Sequence, residues 1–176
     1  MGSGKTSVEA RISAAGLGCR NRDAKYSDHH GQEENPPDDV VKEFALGPFA
    51  DTYRINLRLQ PLYLVGDFDG DSGPDYAIPI ESIRDHLKGI GIWLSTQKKI
   101  LVLSAGQPFT FGSSVEKDLS AIYTWELYPQ KPVKQGAGAG PPPKLLGDAL
   151  AVRKTGGASG LIYWDGKNFT WYKQDD

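Results

Sequence analysis

One cysteine, one methionine and three histidines are all that 176 residues offer of the soft metal ligands and the commonest acid–base catalysts. A single thiol, Cys19, excludes an internal disulfide and any zinc site built on cysteines. Charge of one sign is missing too. The 20 basic and 22 acidic residues leave a net charge of −2, which gives no general attraction to nucleic acid or anionic membranes. No apolar run approaches the ~20 residues that span a bilayer as a helix, so no transmembrane segment is expected. In place of long helical patterns, 21 glycines and 12 prolines punctuate the chain, as many turns between short strands require.

Residues 1–39 are poor in large apolar side chains and end in Asn35-Pro36-Pro37-Asp38-Asp39. Such a composition buries too little surface to offset the entropy of ordering, and predicts a flexible leader. Within it, 14–19 (Ala-Ala-Gly-Leu-Gly-Cys) has the small residues and the cysteine that end a lipoprotein signal, with Cys19 as the acylated residue. The stretch before it is too polar and too short for the apolar region such a signal needs, and a free cysteine in a loose segment is the plainer reading.

Residues 40–176 read as one β domain. Val40–Ala45 suggests a short helical turn capped by Asp38 or Asp39. Strands are expected over 53–59, 62–66, 76–80, 91–95, 100–104, 121–128, 149–153, 160–164 and 169–172, with 96–98 as a compact turn. Residues 82–88 could close one helical turn, and 112–119 fits no single pattern. The low-complexity run 135–143 (Gln-Gly-Ala-Gly-Ala-Gly-Pro-Pro-Pro) reads as a mobile loop rather than a polyproline ligand. Asp165-Gly166 supplies a tight reversal, so Ile162, Trp164, Phe169 and Trp171 share one face of a closing hairpin, with Leu161, Tyr163, Thr170 and Tyr172 on the other. The expected fold is a small antiparallel two-sheet or open-barrel domain, mostly β, made of about two similar four-stranded units.

The segment that carries chemistry is 66–76, Gly-Asp-Phe-Asp-Gly-Asp-Ser-Gly-Pro-Asp-Tyr, where Asp67, Asp69, Asp71 and Asp75 stand at relative positions 1, 3, 5 and 9. Alternate residues of a tight loop turn their carboxylates toward one centre, and Gly70 lets the backbone bend between them. Calcium takes six to eight oxygens, mostly carboxylates, carbonyls and water, and Gly73 can add a carbonyl at position 7. Without a cation, four carboxylates this close repel one another. Two features oppose an EF-hand, the obvious competitor: position 12 is Ile78 rather than a bidentate acid, and position 6 is Ser72 rather than glycine. The next residues, 76–80 (Tyr-Ala-Ile-Pro-Ile), read as a strand and not as an exiting helix.

Residues 64–71 (Leu-Val-Gly-Asp-Phe-Asp-Gly-Asp) with Asp75-Tyr76-Ala77-Ile78 resemble the FG-GAP, or integrin-type, calcium repeat of β-propellers and of small bacterial proteins of VCBS-like type. The resemblance covers about 17 residues. It implies side-chain oxygens from Asp67, Asp69, Asp71 and Asp75 and a carbonyl from Gly73. Ser72 departs from the glycine common there, which would weaken the site. Residues 161–169 more loosely resemble hairpins that close bacterial proteins of this kind. A complete propeller needs at least four blades of four strands, and this chain has strands for about two.

Other signals carry less. The run 2–7 (Gly-Ser-Gly-Lys-Thr-Ser) is similar to the end of a phosphate-binding loop but lacks the upstream glycine and strand. His29 and His30 are adjacent and point apart on an extended chain, and His86 has no nucleophile pattern around it. The functional expectation is a non-catalytic calcium-binding domain at the bacterial envelope or exterior, periplasmic or secreted, whose partner is another protein. The alternative is a carbohydrate-binding or hydrolytic module using Trp93, Trp125, Trp164 and Trp171 with Glu81, Glu116 or Glu126 as acids.

Overall fold

The computed structural model describes residues 36–175. The expectations placed on Cys19, His29, His30, residues 2–7 and most of the leader lie outside the described residues. Two short helices, α1 (Asp38–Ala45) and α2 (Gly47–Thr52), precede eleven strands. These are β1 (Tyr53–Ile55), β2 (Leu64–Gly66), β3 (Asp75–Ser82), β4 (Lys88–Leu94), β5 (Lys99–Ser104), β6 (Phe109–Phe111), β7 (Ser114–Glu116), β8 (Ile122–Tyr128), β9 (Ala149–Lys154), β10 (Ser159–Trp164) and β11 (Phe169–Asp175). The fold is mostly β, antiparallel throughout, with no closed barrel.

Strands β2, β3, β4 and β5 pair in chain order, as do β8, β9, β10 and β11. Each set is a four-stranded meander, the connectivity of a propeller blade. Period-2 alternation explains how the two meet. Ala77, Ile90, Ile92, Leu94, Leu101 and Leu103 turn one face of the first sheet toward Trp125, Leu150, Val152, Ile162 and Phe169 of the second, enclosing Phe68 and Leu119. Each large side chain fully buried there stabilises the fold by roughly 1.5–3 kcal/mol. Ile122 and Trp125 are an odd number of residues apart yet share the core face, and a bulge between Ile122 and Thr124 reconciles them, turning Tyr123 outward. The β6–β7 hairpin closes one side of the core, with Phe111 against Trp171.

The outer face of the first sheet is covered by the helices. Val40 and Phe44 lie one turn apart on α1 and pack over Ile78 and Ile80. A Cβ at Gly91 would lie 2.5 Å from the Phe44 ring, so that strand position has room only for hydrogen. The helix starts earlier than Val40. Asp38 and Asp39 are inside its first turn, where they favour the helix dipole, and the N-cap is Pro37 with no side-chain cap. Helix α2, begun by Pro48 in its first turn, was not foreseen.

The first strand expected over 53–59 ends at Ile55, for a local reason. The Asn56 side chain accepts the Arg58 N–H at 3.1 Å and donates to Glu81 at 2.8 Å, which turns the chain out of the sheet. Residues 82–88 do contain one helix-like turn, closed by the His86 N–H on the Ser82 carbonyl and ended by His86 at φ 59°. The closing hairpin pairs Trp164 with Phe169 and Ile162 with Trp171. Its two faces divide as the alternation predicts: Ile162, Trp164, Phe169 and Trp171 go to the core, while Leu161, Tyr163 and Tyr172 pack under residues 129–148.

Candidate metal centre

The β2–β3 hairpin closes at the pair Gly66–Asp75, and residues 67–74 form its loop. At its tip, Asp67, Asp69 and Asp71 each bring a carboxylate oxygen to within 4.8 Å of the others. Backbone amides organise this convergence. The Asp67 carboxylate accepts the N–H groups of Gly70 at 2.7 Å, Asp71 at 3.0 Å and Ser72 at 2.9 Å. Asp69 accepts from Asp71 at 3.2 Å, and Asp71 from Gly73 at 2.8 Å. These donors offset part of the repulsion among the carboxylates, so repulsion alone is a weaker argument for a cation than the sequence implied. The turn also asks for left-handed backbone at Gly70 (φ 82°) and Ser72 (φ 70°). Glycine accepts this freely, while at Ser72 it costs roughly 1–2 kcal/mol.

Asp75 occupies a different position. It is fully buried, and its two oxygens accept the N–H groups of Phe68 and Ser95, each at 3.0 Å. Burial pushes its carboxyl up to about 6, against the lowering effect of those two donors and with help from the charges of Asp69 and Asp71. Asp75 therefore ties the loop to the start of the β4–β5 turn, and it stands outside the group of converging oxygens. Gly73 is buried, with its amide on Asp71.

The β4–β5 turn adds two polar side chains that spacing within the loop does not reveal. Thr96 Oγ1 donates to Asp71, and Gln97 Nε2 donates to Asp69 at 2.7 Å. Burial raises Asp69, opposed by the Gln97 hydrogen bond, whereas the Thr96 hydroxyl and the Gly73 amide lower Asp71. Two polar residues in the turn one hairpin further on were the available signal, since antiparallel neighbours bring alternate turns to the same end of a sheet. The donor set fits a hard cation. Asp67, Asp69 and Asp71 supply charge and oxygen, and the Thr96 hydroxyl and Gln97 amide stand next to them on Asp71 and Asp69.

The residues considered for a carbohydrate site are placed apart. Trp125 is 3% exposed and donates its indole N–H to the Pro61 carbonyl at 2.8 Å; Trp164 and Trp171 pack on the core, and Trp93 lies on the opposite face of the first sheet. Glu116 is paired with Lys154, and Glu126 projects from β8. Glu81 is buried and bonded to Arg54, Asn56, His86 and Lys88, a cluster that joins β1, β3 and β4. Desolvation opposes ionisation of Glu81, but the hydrogen bonds from Lys88, His86, Arg54 and Asn56 prevail and hold it well below the usual carboxylate range.

No family model, curated protein or solved structure matches the chain.

Proposed function

We propose that residues 67–75 bind a calcium ion that stabilises a non-catalytic β domain, and that this domain works outside the cytoplasm by binding another protein. The observation that carries the metal reading is the convergence of the Asp67, Asp69 and Asp71 oxygens at the tip of a hairpin. Calcium suits them better than magnesium, which keeps its waters and rarely accepts so many carboxylates. Calcium sites of extracellular modules bind at roughly 10⁻⁴–10⁻³ M, an affinity that is filled only where calcium is millimolar, so the extracytoplasmic setting follows from the calcium reading itself. A non-catalytic role is supported by His86, the one histidine among the described residues, whose bonds run to Glu81 and Arg54 rather than to a hydroxyl nucleophile. No helix among the described residues is long and apolar enough to cross a membrane.

The test is thermal unfolding in chelator and in millimolar calcium, for the wild type and for the triple variant Asp67→Asn, Asp69→Asn, Asp71→Asn. A site occupied a hundredfold above its dissociation constant adds about 2.7 kcal/mol. The wild-type midpoint rises with calcium and the variant's does not. Identical wild-type midpoints in chelator and calcium would sink the metal reading.

A further inference from the structure

Residues 129–148, between β8 and β9, lie as a strap over the outer face of the second sheet. Beneath them Val133 and Leu145 are buried against Leu161 and Tyr172, with Ala139, Tyr128 and Tyr163 alongside. The strap's backbone is tethered to β11: Tyr172 Oη accepts the Gly136 N–H at 3.4 Å and donates to the Gly140 carbonyl at 2.9 Å, and the Ala137 N–H donates to the Gln174 carbonyl at 3.1 Å. A run of glycine, alanine and proline makes few side-chain contacts, so these tethers carry much of the closure.

Both ends of the strap meet at one carboxylate. Asp148 Oδ1 accepts the Gln130 N–H at 2.8 Å, while Oδ2 accepts the Asp67 N–H at 3.1 Å. The Asp148 N–H returns to the Asp67 carbonyl at 2.6 Å. Gln130 closes the base from its other side, donating Nε2 to the Leu146 carbonyl at 2.7 Å. The approach is tight, for a Cβ at Gly147 would lie 2.2 Å from the Asp67 carbonyl oxygen. The same residue, Asp67, therefore gives its side chain to the acidic loop and its backbone to the strap.

We propose that Asp148 is the latch of this strap, and that a cation held by the Asp67 loop tightens it over the tyrosine-lined face. The latch rests on the calcium reading of that loop. The sign comes from geometry: a cation held by the Asp67, Asp69 and Asp71 side chains fixes the Asp67 backbone, whose N–H and carbonyl are both partners of Asp148, so the closed arrangement gains when the ion binds. With the loop empty the strap opens more often and exposes Tyr128, Leu161, Tyr163 and Tyr172.

The experiment is hydrogen exchange of the Gly136, Ala137 and Ala139 amides, with Ile162 as a core reference, in chelator and in saturating calcium. Calcium binding is measured separately by calorimetry. Coupling between two sites typically changes an equilibrium about 5-fold or more, so calcium slows the wild-type strap amides by at least about that factor. In Asp148→Ala, or in the gentler Asp148→Asn, calcium still gives a binding heat but the slowing is lost. If the wild type binds calcium and its strap exchange does not change, the latch is wrong and the calcium reading stands. Slowing that persists in both Asp148 variants overturns the latch as well. No binding heat in the wild type removes both readings together.

Discussion

Asp75 and the acids at the loop tip separate under mutation, because the fold uses them differently. Asp75→Ala leaves the buried amide of Phe68 and the half-buried amide of Ser95 without acceptors, and each unsatisfied donor costs about 1–3 kcal/mol. Against that loss stands the burial of the charge, which pushes the carboxyl from 3.8 to about 6. At neutral pH that shift corresponds to about 3 kcal/mol, at about 1.4 kcal/mol per unit. The two effects partly cancel, so Asp75→Ala costs about 1 kcal/mol near neutral pH. The raised value means that the folded state holds the Asp75 proton more tightly than the unfolded chain does. Its stabilising contribution is complete below the unfolded value of 3.8 and is lost as pH rises through about 6. Because the variant lacks this contribution, its deficit against wild type grows by roughly 2 kcal/mol from about pH 7 to about pH 4. The triple variant of Asp67, Asp69 and Asp71 to Asn behaves otherwise in chelator. An asparagine at position 67 keeps one acceptor oxygen for the Gly70 and Asp71 amides and loses the Ser72 amide, and this exposed loss is offset by the relief of mutual repulsion, so stability stays within about 1 kcal/mol of wild type. Urea unfolding with chelator at the two pH values measures all of this. A triple variant as damaged at about pH 4 as Asp75→Ala, or an Asp75→Ala deficit independent of pH, refutes the division of labour.

Two further substitutions test the scaffold around the site. Glu81→Gln leaves Arg54 and Lys88 facing each other without their anion and lowers stability by about 2–3 kcal/mol, below the full value for a buried pair because Arg54 is half exposed. The Glu81 carboxyl lies lower in the folded state, so its contribution is present above the unfolded value of 4.5 and fades as pH falls below it. Wild type therefore loses more stability on acidification than Glu81→Gln, and parallel denaturation curves across that range would contradict the assignment. Gly91→Ala drives a methyl group to 2.5 Å from the Phe44 ring, costing about 1–3 kcal/mol as overpacking. Relief of that cost in the double variant with Phe44→Leu is the confirming result, and an additive double mutant speaks against a direct contact.

The two meanders were legible because their strands obey the simplest rule available. A buried face every second residue, bounded by glycine and proline, located β3, β4, β5, β8, β9, β10 and β11 to within a few residues. Their two faces are both covered, so the outward residues of β3 and β4 are apolar too, and the alternation survives only as two sets of contacts. The pattern failed where a side chain answers to a distant backbone. Arg58 sits in what reads as a continuation of β1, yet its guanidinium reaches the carbonyls of Leu119 and Ile122, more than sixty positions along the chain. No local periodicity carries that information, although the strand itself already ends at Ile55, in the turn made by the Asn56 side chain.

The acidic loop shows the same boundary at closer range. Spacing placed Asp67, Asp69 and Asp71 on one centre because alternate positions in a tight turn converge whatever surrounds them. Spacing treated Asp75 as a fourth member of the set, and here the surroundings decide. Asp75 begins β3, where the pleat directs its side chain inward, and the amides of Phe68 and Ser95 meet it there. Thr96, Gln97 and Asp148 reach the loop from other hairpins, so their part in it comes from sheet pairing rather than from any motif. The consequence for a bound ion is specific. An ion bound there would meet the side chains of Asp67, Asp69 and Asp71 on a backbone that the buried Asp75 carboxylate and Asp148 tie to the rest of the fold. On the calcium reading, metal affinity and domain stability would be linked through the backbone of Asp67, which belongs to the loop and is bonded to Asp148 at the end of the strap.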